Sequence, residues 1–324
     1  MPENMELQRI RRDYSAQGWA LLVYLGIMNF AVMLVVGLAV IHMVFTQLIN
    51  GTESDAVAMA NQILDISGWG YLLAIVIGAV SLLLWKKPKF CFDTLWTRGK
   101  PMTVGSFLAI LSVFMSAQLI SQAGMTAVEF VLNLFDLSME AYVESTAIST
   151  DGVGMFLYVG LGAPISEEIL FRGLVLRSME PHGKRFAIFG SALLFGLFHG
   201  NLIQAPFAFL VGLVLGYVTV EYNILWAMVL HMFNNLIIAD TMTRLLSGLS
   251  AAVSDMVFWA VMILFGVVAL VALVIKRAQV AALFRGSREE SLCKQAFFSA
   301  PGIIVLLVVL SLTIVFSFMT VFML

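Results

Sequence analysis

Long apolar stretches dominate the chain and alternate with short polar segments. An apolar run of about 20 residues is what a helix needs to cross a bilayer, and nine runs have or approach this length. They are Trp19–Phe45, Gly68–Trp85, Thr103–Gly124, Gly152–Leu176, Phe186–Gly200, Leu202–Val220, Ile224–Thr241, Asp255–Ile275 and Ala300–Leu324. The first run is too long for a signal peptide and lacks a small-residue cleavage site. The pattern predicts an all-α polytopic membrane protein with about nine transmembrane helices.

The composition agrees with this pattern and narrows the choice of partners. The chain is 61% hydrophobic and 12% charged, whereas a soluble domain has about 25% charged residues. Its net charge of −2 lacks the basic excess that nucleic-acid binding requires. We therefore expect the lipid bilayer as a partner and no nucleic acid.

Lysine and arginine in the short loops predict the orientation, because basic loops stay on the cytoplasmic side. Basic segments alternate with the acidic segments Asn50–Ser67 and Met125–Asp151. The basic segments are the N-terminus, Lys86–Lys100, Arg177–Arg185 and Lys276–Lys294. This alternation predicts a cytoplasmic N-terminus and an outside C-terminus. The short loops favour a bacterial plasma membrane.

The acidic segment Met125–Asp151 also carries a helical pattern. Five polar side chains share one face, and apolar residues cover much of the rest. The polar set is Glu129, Asn133, Asp136, Glu140 and Glu144. We expect an amphipathic surface helix with a solvated acidic face, since the basic residues typical of lipid-surface helices are missing.

Three charges interrupt the fourth apolar run. Ionised groups at membrane depth are costly, so they occur where they pair or act. Glu168 and Arg172 are four positions apart with the acid first, the favourable order for an ion pair on a helix. Glu167 is rotated by about 100° from its neighbour. The spacing therefore predicts Glu168 and Arg172 as a support pair and leaves Glu167 available for chemistry.

Two histidines and a carboxamide interrupt the runs that follow. His199 ends the fifth run, and His231 lies in the seventh with Asn234 and Asn235 three and four positions later. A glutamate with a histidine can activate a water for attack on a carbonyl, and a second histidine with an amide N–H can stabilise the oxyanion. Alternatively, one carboxylate and two histidines could hold Zn²⁺ with an open position. The sequence contains neither G-x-S-x-G nor H-E-x-x-H.

These residues resemble the three signature motifs of the CPBP family, also called Abi. The motifs are Glu167-Glu168-x-x-x-Arg172, Phe195-x-x-x-His199 and His231-x-x-x-Asn235. This family of intramembrane proteases includes the type 2 CAAX prenyl endopeptidases and the bacteriocin-processing enzymes. The resemblance covers roughly Gly152–Ala239 and implies a CPBP/Abi-type helical core. We expect a single transmembrane domain over 1–324, with that core at 152–241 and flanking spans at 1–151 and 242–324.

The resemblance implies a role for each motif residue. Glu167 would be the general base, with His199 helping to activate the water. His231 and Asn235 would stabilise the oxyanion, Glu168 and Arg172 would support the site, and Phe195 would pack beside it. The resemblance leaves open whether a metal is needed. If zinc is present, its expected ligands are Glu167, His199 and His231.

The implied activity is hydrolysis of a peptide bond in a membrane-associated peptide or protein. The sequence does not show whether that substrate is prenylated. One alternative is a non-catalytic membrane scaffold or regulator that keeps the family fold. Another is a transporter or proton relay, but transporters are typically built from inverted repeats with broken helices in matching halves, and the sequence shows none.

Overall fold

The computed structural model describes most of the chain, and every regular element in that part is helical. It covers residues 3–50, 56–86, 93, 97, 99–135, 138–146, 150, 152–283 and 288–322. The all-α prediction is thus confirmed. Parts of the loops used above for orientation, and Asp136 and Asp151 of the acidic segment, lie outside these ranges.

Each apolar run corresponds to a helix, although α1, α2 and α3 extend well beyond their runs into the adjacent polar segments. In chain order they are α1 (Glu3–Asn50), α2 (Ala56–Lys86), α3 (Val104–Asn133), α4 (Glu140–Thr146), α5 (Val153–His182), α6 (Lys184–Phe198), α7 (Gln204–Glu221), α8 (Ile224–Leu246), α9 (Ala251–Ile275), α10 (Arg277–Leu283), α11 (Arg288–Ser299) and α12 (Pro301–Phe322). Among the described residues, eight of them are long and apolar enough to cross a membrane: α1, α2, α3, α5, α7, α8, α9 and α12.

Helix α6 accounts for the difference between nine predicted runs and eight full-length spans. Its 15 residues extend about 22 Å at 1.5 Å per residue, whereas the hydrocarbon layer is about 30 Å thick. Gly200 follows the end of α6 with a φ of 68°, a left-handed conformation that glycine adopts without steric cost. The helix is therefore shorter than a full membrane span.

Loops that the sequence places on the cytoplasmic side meet at one end of the bundle. The Arg11 side chain donates to the Ser299 carbonyl at 2.8 Å, which joins the N-terminal segment to the end of α11. Lys100 forms an ion pair with Glu221 at 2.6 Å, which joins the loop before α3 to the end of α7. That hydrogen bond raises the pKa of Lys100.

Acidic and hydroxyl groups join loops at the opposite end. The backbone N–H of Gly154 donates to Asp65 at 2.5 Å, so α2 approaches the start of α5. Arg244 forms an ion pair with Asp240 at 3.0 Å, and Thr150 donates to the same carboxylate oxygen. The two sets of contacts agree with the predicted alternation of loops. Which end faces the cytoplasm stays a prediction.

The acidic segment does not form one surface helix, so that prediction was wrong. Its first part extends α3 to Asn133, and α4 begins only at Glu140. Between them, Glu129 turns back and accepts hydrogen bonds from the Ser138 hydroxyl at 3.0 Å and the Met139 N–H at 2.9 Å. Glu129 thus serves as a local cap instead of part of a solvated face.

Helix α4 is held in place by Tyr142, an aromatic residue that the prediction of an acidic surface helix did not take into account. Tyr142 is fully buried and lies edge-on to Phe318 of α12. Its hydroxyl accepts a hydrogen bond from the backbone N–H of Leu202 at 2.9 Å. These two contacts hold α4 against α12 and against the turn that follows α6.

Helix α5 carries the first motif through the centre of the bundle. Its motif turn is almost entirely enclosed, with Glu168, Phe171 and Arg172 all at 0% exposure. The final turns of α6 and the middle of α8 pack against it. The polar residues that the sequence singles out are thereby gathered around one helix.

Candidate active site

A buried carboxylate connects two of the three motifs. Glu168 Oε1 accepts hydrogen bonds from Arg172 Nη1 at 3.1 Å and His231 Nδ1 at 2.9 Å. Arg172 also donates to the backbone carbonyl of Gly212 on α7 at 3.2 Å. The structure thus contains the expected Glu168–Arg172 pair. It adds a third member, because Glu168 also fixes the imidazole of His231.

The neighbouring carboxylate occupies a different environment. Glu167 retains 26% side-chain exposure and lies with its Oε2 3.7 Å from His231 Nε2. One imidazole therefore stands between the two glutamates, tightly bound through Nδ1 and facing Glu167 with Nε2. The i,i+4 spacing predicted that Glu168 pairs with Arg172 and leaves Glu167 free for another role. In the structure Glu168 forms this ion pair, and Glu167 faces His231.

The motif helices depart from regular α-helix where they carry these groups. Glu168–Leu176 and Asn234–Met242 are π-helical, whereas Glu167 and His231 lie in the α-helical turns just before them. A third π-helical turn, Tyr158–Gly162, lies earlier on α5 and packs against Asn234–Met242. A π-helical turn contains an extra residue and is frequently found at functional sites. Here Glu168, Arg172 and Asn235 lie in such turns.

His199 sits at the end of the short helix α6. Its Nδ1 lies 2.9 Å from the Phe195 carbonyl oxygen, so the neutral ring carries its proton there and leaves Nε2 as an acceptor. The side chain is partly exposed. His199 directly follows the last turn of α6 and precedes Gly200.

The ring of Phe195 separates and orients the charged groups. The Arg172 guanidinium lies over its face at 4.2 Å from the ring centre. His199 and His231 both meet it edge-on, at centroid distances of 4.9 and 5.8 Å. Phe195 is 1% exposed and therefore fixes the spacing between the two histidines and the buried ion pair.

The second motif residue of α8 is bound to the backbone of α5. Asn235 donates to the Val159 carbonyl oxygen at 2.8 Å and accepts from Asn234 at 3.1 Å. Asn234 in turn accepts from Gln118 of α3 at 3.2 Å. These hydrogen-bonded amides, Gln118, Asn234 and Asn235, fix the Asn235 side chain. Gln118 was not predicted from the sequence, because it belongs to no motif.

The zinc site expected from the sequence requires Glu167, His199 and His231 to converge on one point. Within the described ranges, no three His, Cys, Asp or Glu side chains lie close enough together to hold a metal ion. Glu167 and His231 approach each other, but their partner His199 is bound to the backbone of its own helix. The set Glu167, His199 and His231 stays a prediction, and no step below depends on a metal.

The fold and this polar centre define an integral membrane protein with ionisable groups gathered inside a helical bundle. Residues 149–237 match the family model described as type II CAAX prenyl endopeptidase Rce1-like. The match covers about a quarter of the chain and contains all three motifs, so the resemblance to the CPBP/CAAX protease family is confirmed there. The corresponding comparisons with curated proteins and with solved structures gave no match.

Proposed function

We propose that this protein is a glutamate-dependent intramembrane endopeptidase that cleaves a membrane-associated peptide or protein. The observation that carries the proposal is the contrast between the two adjacent glutamates. Glu168 is enclosed and holds His231, whereas Glu167 is accessible and faces the same imidazole. Such an arrangement provides one carboxylate for chemistry and one for orientation.

The first step of the proposed hydrolysis is the activation of a water molecule. Glu167 accepts a proton from a water molecule, whose oxygen attacks the scissile carbonyl carbon. Neutral His199, with Nε2 as an acceptor, helps to orient that water. The proton on Glu167 then passes to the leaving amine, which returns the carboxylate to its starting state.

His231 supports the negative charge that develops on the carbonyl oxygen. With Nδ1 donating to Glu168, a protonated ring has its second N–H at Nε2, directed toward Glu167 and the adjacent space. Protonation of His231 would also balance the charge of the site. The two carboxylates, Glu167 and Glu168, would then face two cations, Arg172 and His231. A fixed cationic donor in a low-dielectric site stabilises an oxyanion effectively.

Asn235 supplies the second donor to the oxyanion. A carboxamide has two N–H groups, and the bond to Val159 uses one of them. The bonds at both ends of the side chain hold the amide in one orientation before substrate arrives. The remaining N–H is thus available without loss of conformational entropy on binding.

The site lies within the bundle, so the proposed substrate approaches from the membrane. The proposed location is a bacterial plasma membrane with a cytoplasmic N-terminus and an outside C-terminus. The name of the matched family suggests a prenylated C-terminal CAAX peptide as the first probe. The same peptide without its lipid tests whether prenylation is required.

The test compares cleavage of both probes by purified wild type, Glu167→Ala and His199→Ala in detergent. We expect at least a hundredfold loss in each variant, since residues that act as a unit lose nearly the whole effect singly. Glu6→Ala, which removes an exposed carboxylate at the start of α1, is the matched control. Unchanged cleavage in Glu167→Ala would refute the assignment, and unchanged cellular function in that variant would favour the non-catalytic scaffold.

A further inference from the structure

A glutamine of the third helix stands at the end of a row of three hydrogen-bonded amides that leads to Asn235. Gln118 of α3 lies outside the segment 149–237 that matches the family model. Its Nε2 donates to Asn234 Oδ1 at 3.2 Å, and Asn234 Nδ2 donates to Asn235 Oδ1 at 3.1 Å. A flanking span is therefore connected, through one intervening side chain, to the proposed oxyanion donor.

A backbone carbonyl fixes the direction of the whole row. The Val159 carbonyl oxygen can only accept, so the Asn235 side chain turns its NH2 group toward it, at 2.8 Å. The Asn235 oxygen then faces Asn234, which presents its own NH2 group, and the Asn234 oxygen faces Gln118. The position on α3 thus requires a donor, which glutamine supplies and an apolar side chain lacks.

Helix α3 lies beside α8 at a second level as well. The Phe107 ring of α3 and the Trp226 ring of α8 are 5.6 Å apart, and both side chains pack against the hydrophobic core. The aromatic contact and the amide contact occur in the same order along the two helices, which therefore run in the same direction. Together the two contacts hold α3 and α8 side by side, with Gln118 facing Asn234.

We propose that Gln118 is a positioning residue for Asn235. A single hydrogen bond to Val159 would let the Asn235 carboxamide turn about that bond, whereas a second bond at its oxygen fixes the plane of the group. Gln118 holds Asn234 in the orientation that provides this second bond. The remaining N–H of Asn235 therefore keeps one direction when the oxyanion forms, which is the condition for stabilisation without reorganisation.

The row also strengthens its last donor. Hydrogen bonds that follow one another in the same direction polarise each successive group. The bond from Gln118 draws electrons toward the Asn234 oxygen, and the bond from Asn234 does the same to Asn235. The N–H groups of Asn235 thereby become better donors, so that loss of Gln118 weakens them through Asn234.

The catalytic part of this inference rests on the proposed function and is tested with the same peptide probes. Gln118→Met keeps the length of the side chain and removes the donor. We expect kcat to fall roughly three- to tenfold, as for loss of a neutral hydrogen bond, with KM within about twofold. Gln122→Met is the matched control, because Gln122 is exposed one turn further along α3, and it should leave kcat unchanged.

Equal kcat in Gln118→Met and Gln122→Met would overturn the proposal. This holds even if Gln118→Met lowers the melting temperature, because Gln118 would then only join two helices, as polar side chains often do in membranes.

A double-variant cycle tests whether Gln118 acts through Asn234. Asn234→Ala removes the middle amide and interrupts the row. Adding Gln118→Met to this variant should therefore lower kcat no further, since residues in one hydrogen-bond network are not additive. If the two losses multiply instead, Gln118 does not act through Asn234 and the proposal is wrong.

A measurement without substrate separates this inference from the proposed function. In protein labelled with ¹⁵N-asparagine, NMR in detergent records the side-chain NH2 signal of Asn235, which is identified by its loss in Asn235→Ala. We expect Gln118→Met to shift this signal and Gln122→Met to leave it in place. A signal indifferent to Gln118→Met would refute the connection, whereas a shift together with no peptide cleavage by wild type would refute only the proposed function.

Discussion

Removal of the Glu168 carboxylate tests whether Glu168 has a structural role and its neighbour Glu167 a chemical one. Glu168 is fully buried and its Oε1 binds both Arg172 and His231. Glu168→Ala leaves the Arg172 guanidinium enclosed without a counter-ion, and breaking a buried ion pair in this way costs about 3–5 kcal/mol. Glu167→Ala removes a side chain with 26% exposure and should cost less than about 1 kcal/mol.

The difference is measured by thermal unfolding of the purified variants in detergent. A loss of 3–5 kcal/mol corresponds to a melting temperature lower by roughly 4–7 °C for a chain of this size. Glu168→Gln keeps the shape and an acceptor oxygen, so we expect an intermediate loss. A Glu168→Leu/Arg172→Met double variant removes both charges and should recover much of the stability.

Equal melting temperatures for Glu167→Ala and Glu168→Ala would refute this reasoning, because they would mean that the buried carboxylate has no structural role. Peptide cleavage gives the complementary result. Glu167→Ala should abolish cleavage while it remains folded, and this combination distinguishes a chemical role from a structural one.

Four further predictions follow from single features. Gly200→Ala places a side chain at a φ of 68°, which costs about 1–2 kcal/mol, and should lower cleavage more than Gly248→Ala, where an added Cβ meets nothing within 4 Å. Asn235→Ala should lower kcat about a hundredfold by removing an oxyanion donor, and an unchanged kcat would exclude that role. The raised pKa of Lys100 means that its contribution to stability is present below about pH 10.4, the usual lysine value, and is lost as pH rises through the higher folded-state value. The melting temperature of wild type should therefore fall toward that of Lys100→Met only in strongly alkaline buffer, and a gap that closes near pH 7 would contradict this. Zinc chelation should leave cleavage unchanged, because the derived steps use no metal, and a loss restored by added zinc would contradict the mechanism.

The sequence by itself determined the architecture and part of the site. Its apolar runs predicted the helices because spanning a bilayer requires a continuous apolar length, a local property. Among the described helices that correspond to these runs, only α6 falls short of that length. The i,i+4 spacing of Glu168 and Arg172 was likewise sufficient for their pairing, because a helix fixes the distance between such neighbours. The surface helix predicted for the acidic segment was wrong, since the periodicity did not reveal that Tyr142 is buried.

Tertiary structure decided which groups from different helices meet. No local pattern shows that His231 binds Glu168 through Nδ1, or that Asn235 is held by Val159. These contacts depend on the relative depth and rotation of α5 and α8. The π-helical turns in both helices change that depth and rotation, because each turn contains an extra residue. The packing of the Tyr24 ring of α1 against α2 depends similarly on the absence of a side chain at Gly78. The sequence therefore identified the functional side chains, whereas their arrangement in space followed from the packing between helices.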